Sequence, residues 1–126
     1  MSLPKWKEIE DKAWYHLRKK LPQEEGWTIV NQCDWFDPSD RPDYVAIRTM
    51  KTKKLEVRLV EVKCKHKTPL TKGEIDQLCG YAKHLSHQVE WYELWMICCD
   101  RTEIPPEVRE YGNNSSDCFH WIRLFH

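Results

Sequence analysis

The fold of this chain is decided by residues 55–65, LEVRLVEVKCK, which read as its longest strand. Side chains alternate between the two faces of a strand, so Glu61 and Lys63 are expected on one face and Val62 on the other. The strand is largely apolar, with an exposed beginning indicated by Glu56 and Arg58 and a buried end. A charged side chain in a strand that favours burial requires a partner or a function.

A second carboxylate stands close to this strand in the predicted order of elements. Asp43 follows Pro42 and opens an apolar strand over 43–49, 18 positions before Glu61. If the two strands pair, Asp43 and Glu61 supply two hard oxygen ligands of the kind that magnesium prefers. Lys63 could then orient an attacking water or stabilise the charge that develops on a phosphate. The alternative is a solvent-exposed ion pair, which is common for Glu and Lys two positions apart.

The other elements follow from periodicity and turn residues. Apolar residues recur at helical spacing over 4–20, and Thr71 with Glu74 forms a capping box that starts a helix running to about residue 86. The remaining predictions are strands over 27–33, 91–99 and 118–125, a loop over 34–42, a hairpin turn over 50–54, and a loop over 100–117 with room for a short helical turn after Pro106. The resulting order, α-β-β-β-α-β-β, predicts one α/β domain over 1–126, a mixed sheet with helices on its faces.

Composition restricts the partners of the chain. Lys plus Arg and Asp plus Glu are both 20, so the formal net charge is zero and no global field attracts nucleic acid. Attraction must come from local patches, and one such patch comprises Lys63, Lys65, Lys67 and Lys72. No signal peptide or transmembrane run is visible, so we expect an intracellular, cytoplasmic protein that does not enter a membrane.

Six cysteines and seven tryptophans are unusual at this length. The cysteines lack Cys-x-x-Cys spacing and do not form a secreted disulfide framework. Adjacent Cys98 and Cys99 lie in an apolar run and read as core thiols, with a zinc or iron–sulfur site built from distant cysteines as the alternative. Five tryptophans stand at positions that suit core packing: Trp6, Trp14, Trp27, Trp91 and Trp95.

Pro42-Asp43 followed by Glu61-Val62-Lys63, within an α-β-β-β-α-β order, resembles the PD-(D/E)xK nuclease superfamily, whose fold is the restriction-endonuclease-like fold. The resemblance covers about residues 8–99. It implies that Asp43 and Glu61 bind Mg²⁺ or Mn²⁺, that the backbone carbonyl of Val62 completes the coordination, and that Lys63 orients the water or stabilises charge.

Two further matches refine the resemblance. Gln77 and Tyr81 reproduce a Q-x-x-x-Y spacing similar to that of RecB-type nucleases, one helical turn apart on one face. Archaeal Holliday-junction resolvases keep a glutamate in the first helix, and Glu10 matches its phase best, with Glu8 as the competitor. The plain reading is a half-buried helix for the first pair and a solvated charge for either glutamate. The resolvases tend to be basic, whereas this chain is neutral.

These patterns predict a magnesium-dependent DNA endonuclease related to small resolvases or RecB-like nucleases. The catalytic set would be Asp43, Glu61, Lys63, Glu10 and Gln77, and the nucleic-acid contacts would be Lys65, Lys67, Lys72 and Tyr81. RNA stays open as a substrate, and a homodimer is expected because cutting two strands needs two sites. The rivals are a non-catalytic nucleic-acid-binding or assembly subunit that keeps the fold, and a cysteine-based metal or redox protein.

Overall fold

The computed structural model describes residues 5–124, and their side chains from Glu8 onward. Within that part of the chain, three α-helices and five strands follow one another in the predicted order, except that a helix lies between the last two strands. They are α1 (Lys5–Lys20), β1 (Thr28–Asn31), β2 (Tyr44–Thr49), β3 (Leu55–Lys63), α2 (Lys72–Tyr81), β4 (Val89–Cys99), α3 (Pro106–Ser115) and β5 (Phe119–Leu124).

The five strands form one sheet in the order β1-β2-β3-β4-β5. The pairs β1–β2 and β2–β3 are antiparallel, whereas β3–β4 and β4–β5 are parallel. Each parallel pair is joined through a helix, α2 or α3, because parallel neighbours need a crossover connection. The predicted mixed sheet flanked by helices is therefore confirmed.

Alternation along the strands divides the core between the two faces of the sheet. On β3, Val57 and Leu59 pack with residues of α2 and α3, whereas Val60 packs with residues of α1. Glu61 is two positions beyond Leu59 and therefore shares the face covered by α2. The α2 face buries Val45, Val57, Leu59, Leu70, Ile75, Leu78, Tyr81, Leu94, Met96, Cys98 and Val108; the α1 face buries Ala13, Leu17, Leu21, Trp27, Tyr44, Ala46, Val60, Trp95 and Ile97.

The loop predicted over 100–117 is wrong in its second half, because residues 106–115 form α3. Pro106 suits the first turn of a helix, but the segment over 106–115 ends in Gly-Asn-Asn-Ser, a composition that disfavours a helix. Packing decides the outcome: Val108 is buried, and a Cβ on Gly112 would lie 2.6 Å from the Trp121 ring. Close approach of the glycine backbone to that indole holds the helix on β5.

Element ends and burial differ from the sequence prediction at several other places. Strand β3 ends at Lys63, α2 ends at Tyr81 before a 3₁₀ turn over Ala82–His84, and β4 already begins at Val89. The predicted exposed beginning of β3 is wrong, since Glu56 and Arg58 are each only 8% exposed.

Tryptophan and cysteine positions also need correction. Trp27 and Trp95 are buried as predicted, but Trp14 and Trp91 are 40% and 47% exposed; the Trp6 side chain lies outside the described part. Cys98 is a buried free thiol, whereas Cys99 is disulfide-bonded to Cys64 and is not the free core thiol that was predicted.

Candidate active site

Asp43 and Glu61 meet at the edge where β2 begins and β3 ends. The antiparallel register pairs Tyr44 with Val60, which brings the preceding Asp43 beside Glu61. The Asp43 backbone N–H donates to Glu61 Oε1 at 3.1 Å, and the Val62 backbone N–H donates to Asp43 Oδ2 at 2.7 Å. Each carboxylate thus accepts a hydrogen bond from the backbone beside the other carboxylate.

The electrostatics of the pair favour a bound cation. Glu61 is 4% exposed, and burial, followed by the charge of Asp43, raises its pKa to about 7. Burial also raises the pKa of Asp43, against the opposing effects of the Val62 N–H and Lys63. Two carboxylates share a poorly hydrated place where their charges repel. A divalent cation with a preference for oxygen would offset both the desolvation and the repulsion.

Lys63 completes the triad on the same face. Its Nζ lies 3.5 Å from Glu61 Oε2 and 3.7 Å from Glu74 Oε2. The ammonium therefore sits between the candidate metal ligand and a second glutamate on α2. An ammonium group has three N–H donors, so Lys63 can keep its contacts with both glutamates and still donate to a water or to a phosphate oxygen.

Glu74 contacts Lys63 at the candidate site, whereas the sequence predicted it only as half of a capping box. The capping box with Thr71 is present, and Glu74 Oε1 also accepts from Lys65 Nζ at 2.5 Å. Burial opposes ionisation of Glu74, but hydrogen bonds from Lys65 and Thr71 hold its pKa below the usual range. The Glu74 carboxylate thus caps α2 and also pairs with Lys63 and Lys65. The capping-box spacing predicts the cap but not the pairing with the two lysines.

A cleft of about 470 Å³ opens beside the two carboxylates, and its lining includes the predicted catalytic residues except Lys63. Glu10 of α1 lines it, and Tyr44 Oη donates to the Glu10 carbonyl at 3.2 Å, which ties the helix to β2. Glu8 is exposed and does not line the cleft. The lining comprises Glu10, Asn31, Gln32, residues 38–43, Glu61, Gln77 and Tyr81.

Gln77 and Tyr81 contact the loop that forms one wall of this cleft. Gln77 Nε2 donates to Asp40 Oδ1 at 3.4 Å, and Tyr81 Oη donates to the Arg41 carbonyl at 3.1 Å. Tyr81 is 2% exposed, and burial, followed by the charge of Glu61, raises its pKa. In these contacts Tyr81 anchors the loop, whereas the Gln77 side chain stays exposed at the cleft. The sequence predicted a loop over 34–42 and favoured a polar turn there, so the role of its residues 38–42 as a wall of the cleft was missed.

The predicted nucleic-acid lysines lie outside the cleft lining. Lys65 is paired with Glu74, and the Lys72 Nζ lies 5.4 Å from the centre of the Tyr111 ring. Lys67 and Lys72 are exposed. Lys65 and Lys67 follow the end of β3 and Lys72 begins α2, so all three lysines come after Lys63 in sequence, and none lines the acidic cleft.

The fold is similar to that of a solved structure, the MspJI restriction endonuclease in complex with a 27-mer oligonucleotide. The TM-score is 0.57 at 9% sequence identity, over 90% of this chain and 24% of that one. This chain therefore spans about a quarter of the length of that protein. At this identity the likeness establishes the fold, which is restriction-endonuclease-like. In sequence, no protein family and no curated protein matches the chain.

No helix in the part of the chain that the structure describes is long and apolar enough to cross a membrane.

Proposed function

We propose that this chain is a metal-dependent endonuclease that hydrolyses phosphodiester bonds in DNA, with Asp43, Glu61 and Lys63 as its centre. The observation that carries the proposal is the reciprocal hydrogen bonding that places two carboxylates side by side at a cleft, with the Lys63 ammonium 3.5 Å from Glu61. The restriction-endonuclease-like fold supports it, because this arrangement lies where the sequence resemblance expects the catalytic residues.

The donor atoms at this edge fit Mg²⁺ or Mn²⁺. Asp43 and Glu61 supply carboxylate oxygens, and both are held in place by backbone N–H groups. The N–H and C=O of a strand residue point toward the same edge, and because the Val62 N–H bonds Asp43, the Val62 carbonyl is the third candidate ligand. When bound, such an ion polarises the phosphodiester and lowers the pKa of water.

The protein itself would orient the reacting groups around that ion. Lys63 would donate to the attacking water or to a phosphate oxygen. Its ion pair with Glu74 would hold the ammonium in that orientation. Gln77 is exposed at the cleft, where an amide can donate to a phosphate oxygen or to a base edge. Glu10 would be a further oxygen ligand, supplied by α1 to the same cleft.

Contacts to the nucleic acid backbone would come from the basic segment that follows β3. Lys65, Lys67 and Lys72 carry charge that a phosphate chain can approach beside the acidic cleft. The similar solved structure is described as an oligonucleotide complex, which supports the same partner class here. Two copies of the chain would provide one site for each strand of a duplex.

The test is cleavage of labelled single-stranded, duplex, flap and four-way-junction DNA, with an RNA strand alongside. Each is incubated with Mg²⁺, with Mn²⁺ or with EDTA. Metal-dependent cutting that is lost in Glu61→Ala and Lys63→Ala, but kept in the exposed controls Glu110→Ala and Lys51→Ala, would support the proposal. Binding without cutting under every metal would indicate a non-catalytic subunit, and cutting that survives both site variants would refute the assignment.

A further inference from the structure

Directly beyond Lys63, a cluster of sulfur and nitrogen ligands joins the ends of β3 and β4. Cys64, His66 and Cys99 each offer one ligand atom, and these three atoms lie within 4.8 Å of one another. Cys64 Sγ lies 3.1 Å from His66 Nε2, and the Cα atoms of the two cysteines are 5.1 Å apart. Two thiolates and one imidazole are a donor set that suits zinc and disfavours magnesium.

The register of the sheet and a buried threonine bring these ligands together. Parallel pairing sets Lys63 opposite Cys98, so the next residues along both strands are neighbours. Thr102 is 2% exposed, and its Oγ1 lies 3.3 Å from Cys99 Sγ while it accepts from the Lys65 backbone N–H at 2.9 Å. A polar group behind a ligand fixes its orientation, as the residues around protein metal sites commonly do.

Exposure around the cluster provides a route for an ion. Cys99 is fully buried and Cys64 is half-buried, whereas His66 is exposed. An ion could therefore arrive from the His66 side, and water could take a fourth position in a tetrahedral site.

We propose that Cys64, His66 and Cys99 form a thiol-controlled zinc site, closed by the disulfide and opened by reduction. The two states exclude each other, because each sulfur bonds either its partner or the metal. A dithiol reductant supplies two electrons and two protons: the Sγ–Sγ bond breaks, two cysteine thiols form, and the reductant becomes a disulfide. Zn²⁺ then binds as the two thiol protons pass to solvent.

This site is separate from the acidic cleft and does not depend on the proposed nuclease activity. In either state, a covalent or a metal link would join the ends of β3 and β4 immediately after Lys63. The link would hold the strand end that carries this lysine. Reduction without zinc would leave the two strand ends joined only by the sheet and by Thr102.

The experiment titrates the reduced, metal-free full chain with Co²⁺, whose thiolate complexes absorb strongly, and then adds Zn²⁺ to displace it. We expect thiolate-to-metal absorption that saturates at one equivalent, disappears on adding Zn²⁺, and is absent in the oxidised protein. His66→Ala, a change at an exposed position, should weaken Co²⁺ binding by at least the roughly 10-fold to 100-fold that loss of a group behind a ligand costs, because it removes a ligand itself. Cys64→Ser should abolish the absorption, and the control Cys118→Ser, which replaces a free half-buried cysteine, should keep it.

The proposal is overturned if reduced protein shows no such absorption, or if the absorption survives Cys64→Ser or falls in Cys118→Ser. Glu61→Gln should titrate like the wild type, because its carboxylate belongs to the cleft. An inactive nuclease with normal cobalt binding would therefore reject the proposed function alone, and an active nuclease without cobalt absorption would reject the zinc site alone.

Discussion

Strand β3 buries charge at both ends, but in opposite ways. At its start, Glu56 accepts from Arg48 at 2.6 Å and from Arg58 at 2.7 Å, and Arg58 also pairs with Glu93 at 3.1 Å. The guanidinium groups of Arg48 and Arg58 lie 4.5 and 4.9 Å from the centre of the Trp27 ring. Burial acts against ionisation of Glu56, but the two arginines lower its pKa below the usual value.

At the other end of the strand, the charges do not balance. Among the residues that the structure describes, Lys63 is the cation whose charge lowers the pKa of both Asp43 and Glu61, and its ammonium is shared with Glu74. Burial and mutual repulsion raise the pKa of Glu61 to about 7. At the start of the strand, the arginines and glutamates neutralise one another. The end of the strand has an excess of negative charge, which favours binding of a cation. Uncompensated buried charge, more than burial alone, makes the end of β3 the candidate functional site.

The largest effect should come from removing that excess charge. Glu61→Ala is expected to lower metal-dependent cleavage by about 1,000-fold or more, since loss of a ligand removes several kcal/mol of transition-state stabilisation. Cleavage rates under saturating Mg²⁺ measure it. The folded state should persist, because the substitution also removes the repulsion between Glu61 and Asp43. Cleavage within a few-fold of wild type would contradict the comparison.

The balanced end should respond in stability rather than in activity. Glu56→Ala leaves Arg58 buried without its closest carboxylate and should reduce the free energy of unfolding by about 3 kcal/mol. Urea denaturation of the metal-free chain measures the change. The exposed control Glu107→Ala should alter stability by less than about 0.5 kcal/mol. A neutral Glu56→Ala would mean that the network at the start of β3 is not structural.

The two ends should also give opposite pH dependences. Between the ordinary glutamate pKa and about 7, the folded protein binds a proton at Glu61 that the unfolded chain has released. Stability from this group is therefore highest at low pH and falls as the pH rises toward 7, by on the order of 1 to 3 kcal/mol. Glu56, with its lowered pKa, contributes stability above its usual pKa and loses it as the pH falls.

Denaturation in EDTA at pH 5 and pH 7.5 separates these contributions. As the pH rises from 5 to 7.5, the wild type should lose more stability than Glu61→Gln. Replacing EDTA with Mg²⁺ should restore part of the wild-type loss at pH 7.5. Equal slopes for the two proteins would show that Glu61 titrates normally in the folded state.

The smallest effect should come from the residue that links the site to α2. Glu74→Gln weakens the hold on Lys63 and should lower the cleavage rate by about 10-fold, with about 1 kcal/mol lost in stability. Thr71→Ala is the matched control, because it weakens the same helix cap without touching the lysine. It should cost similar stability and leave cleavage nearly unchanged; equal losses of activity in both variants would reduce Glu74 to a capping residue.

Sequence reasoning recovered the parts of the molecule that depend on local pattern. Strand alternation predicted Glu61 and Lys63 on one face, and the capping box predicted the start of α2. The roles of Glu56 and Arg58 were missed because alternating charges near a strand start resemble an exposed edge. Only the tertiary structure supplies the Trp27 and Glu93 that make their burial possible.

The remaining errors share this cause. Helix α3 depends on the contact between Gly112 and Trp121, and no local propensity reports that contact. The link between Cys64 and Cys99 spans 35 positions and follows from the parallel register of β3 and β4. Long-range contacts of this kind place α3 against β5 and Cys99 beside Cys64, neither of which the sequence predicted.

The most direct test of the central claim is Mn²⁺ binding to the full chain, followed by electron paramagnetic resonance of the free ion. Wild type and the exposed control Glu110→Gln should bind Mn²⁺ equally. Glu61→Gln should lose about 10-fold or more in affinity, because a carboxylate ligand is replaced by an amide. Equal Mn²⁺ binding by wild type and Glu61→Gln would contradict the account, since the negative charge at the end of β3 would then not serve a metal ion.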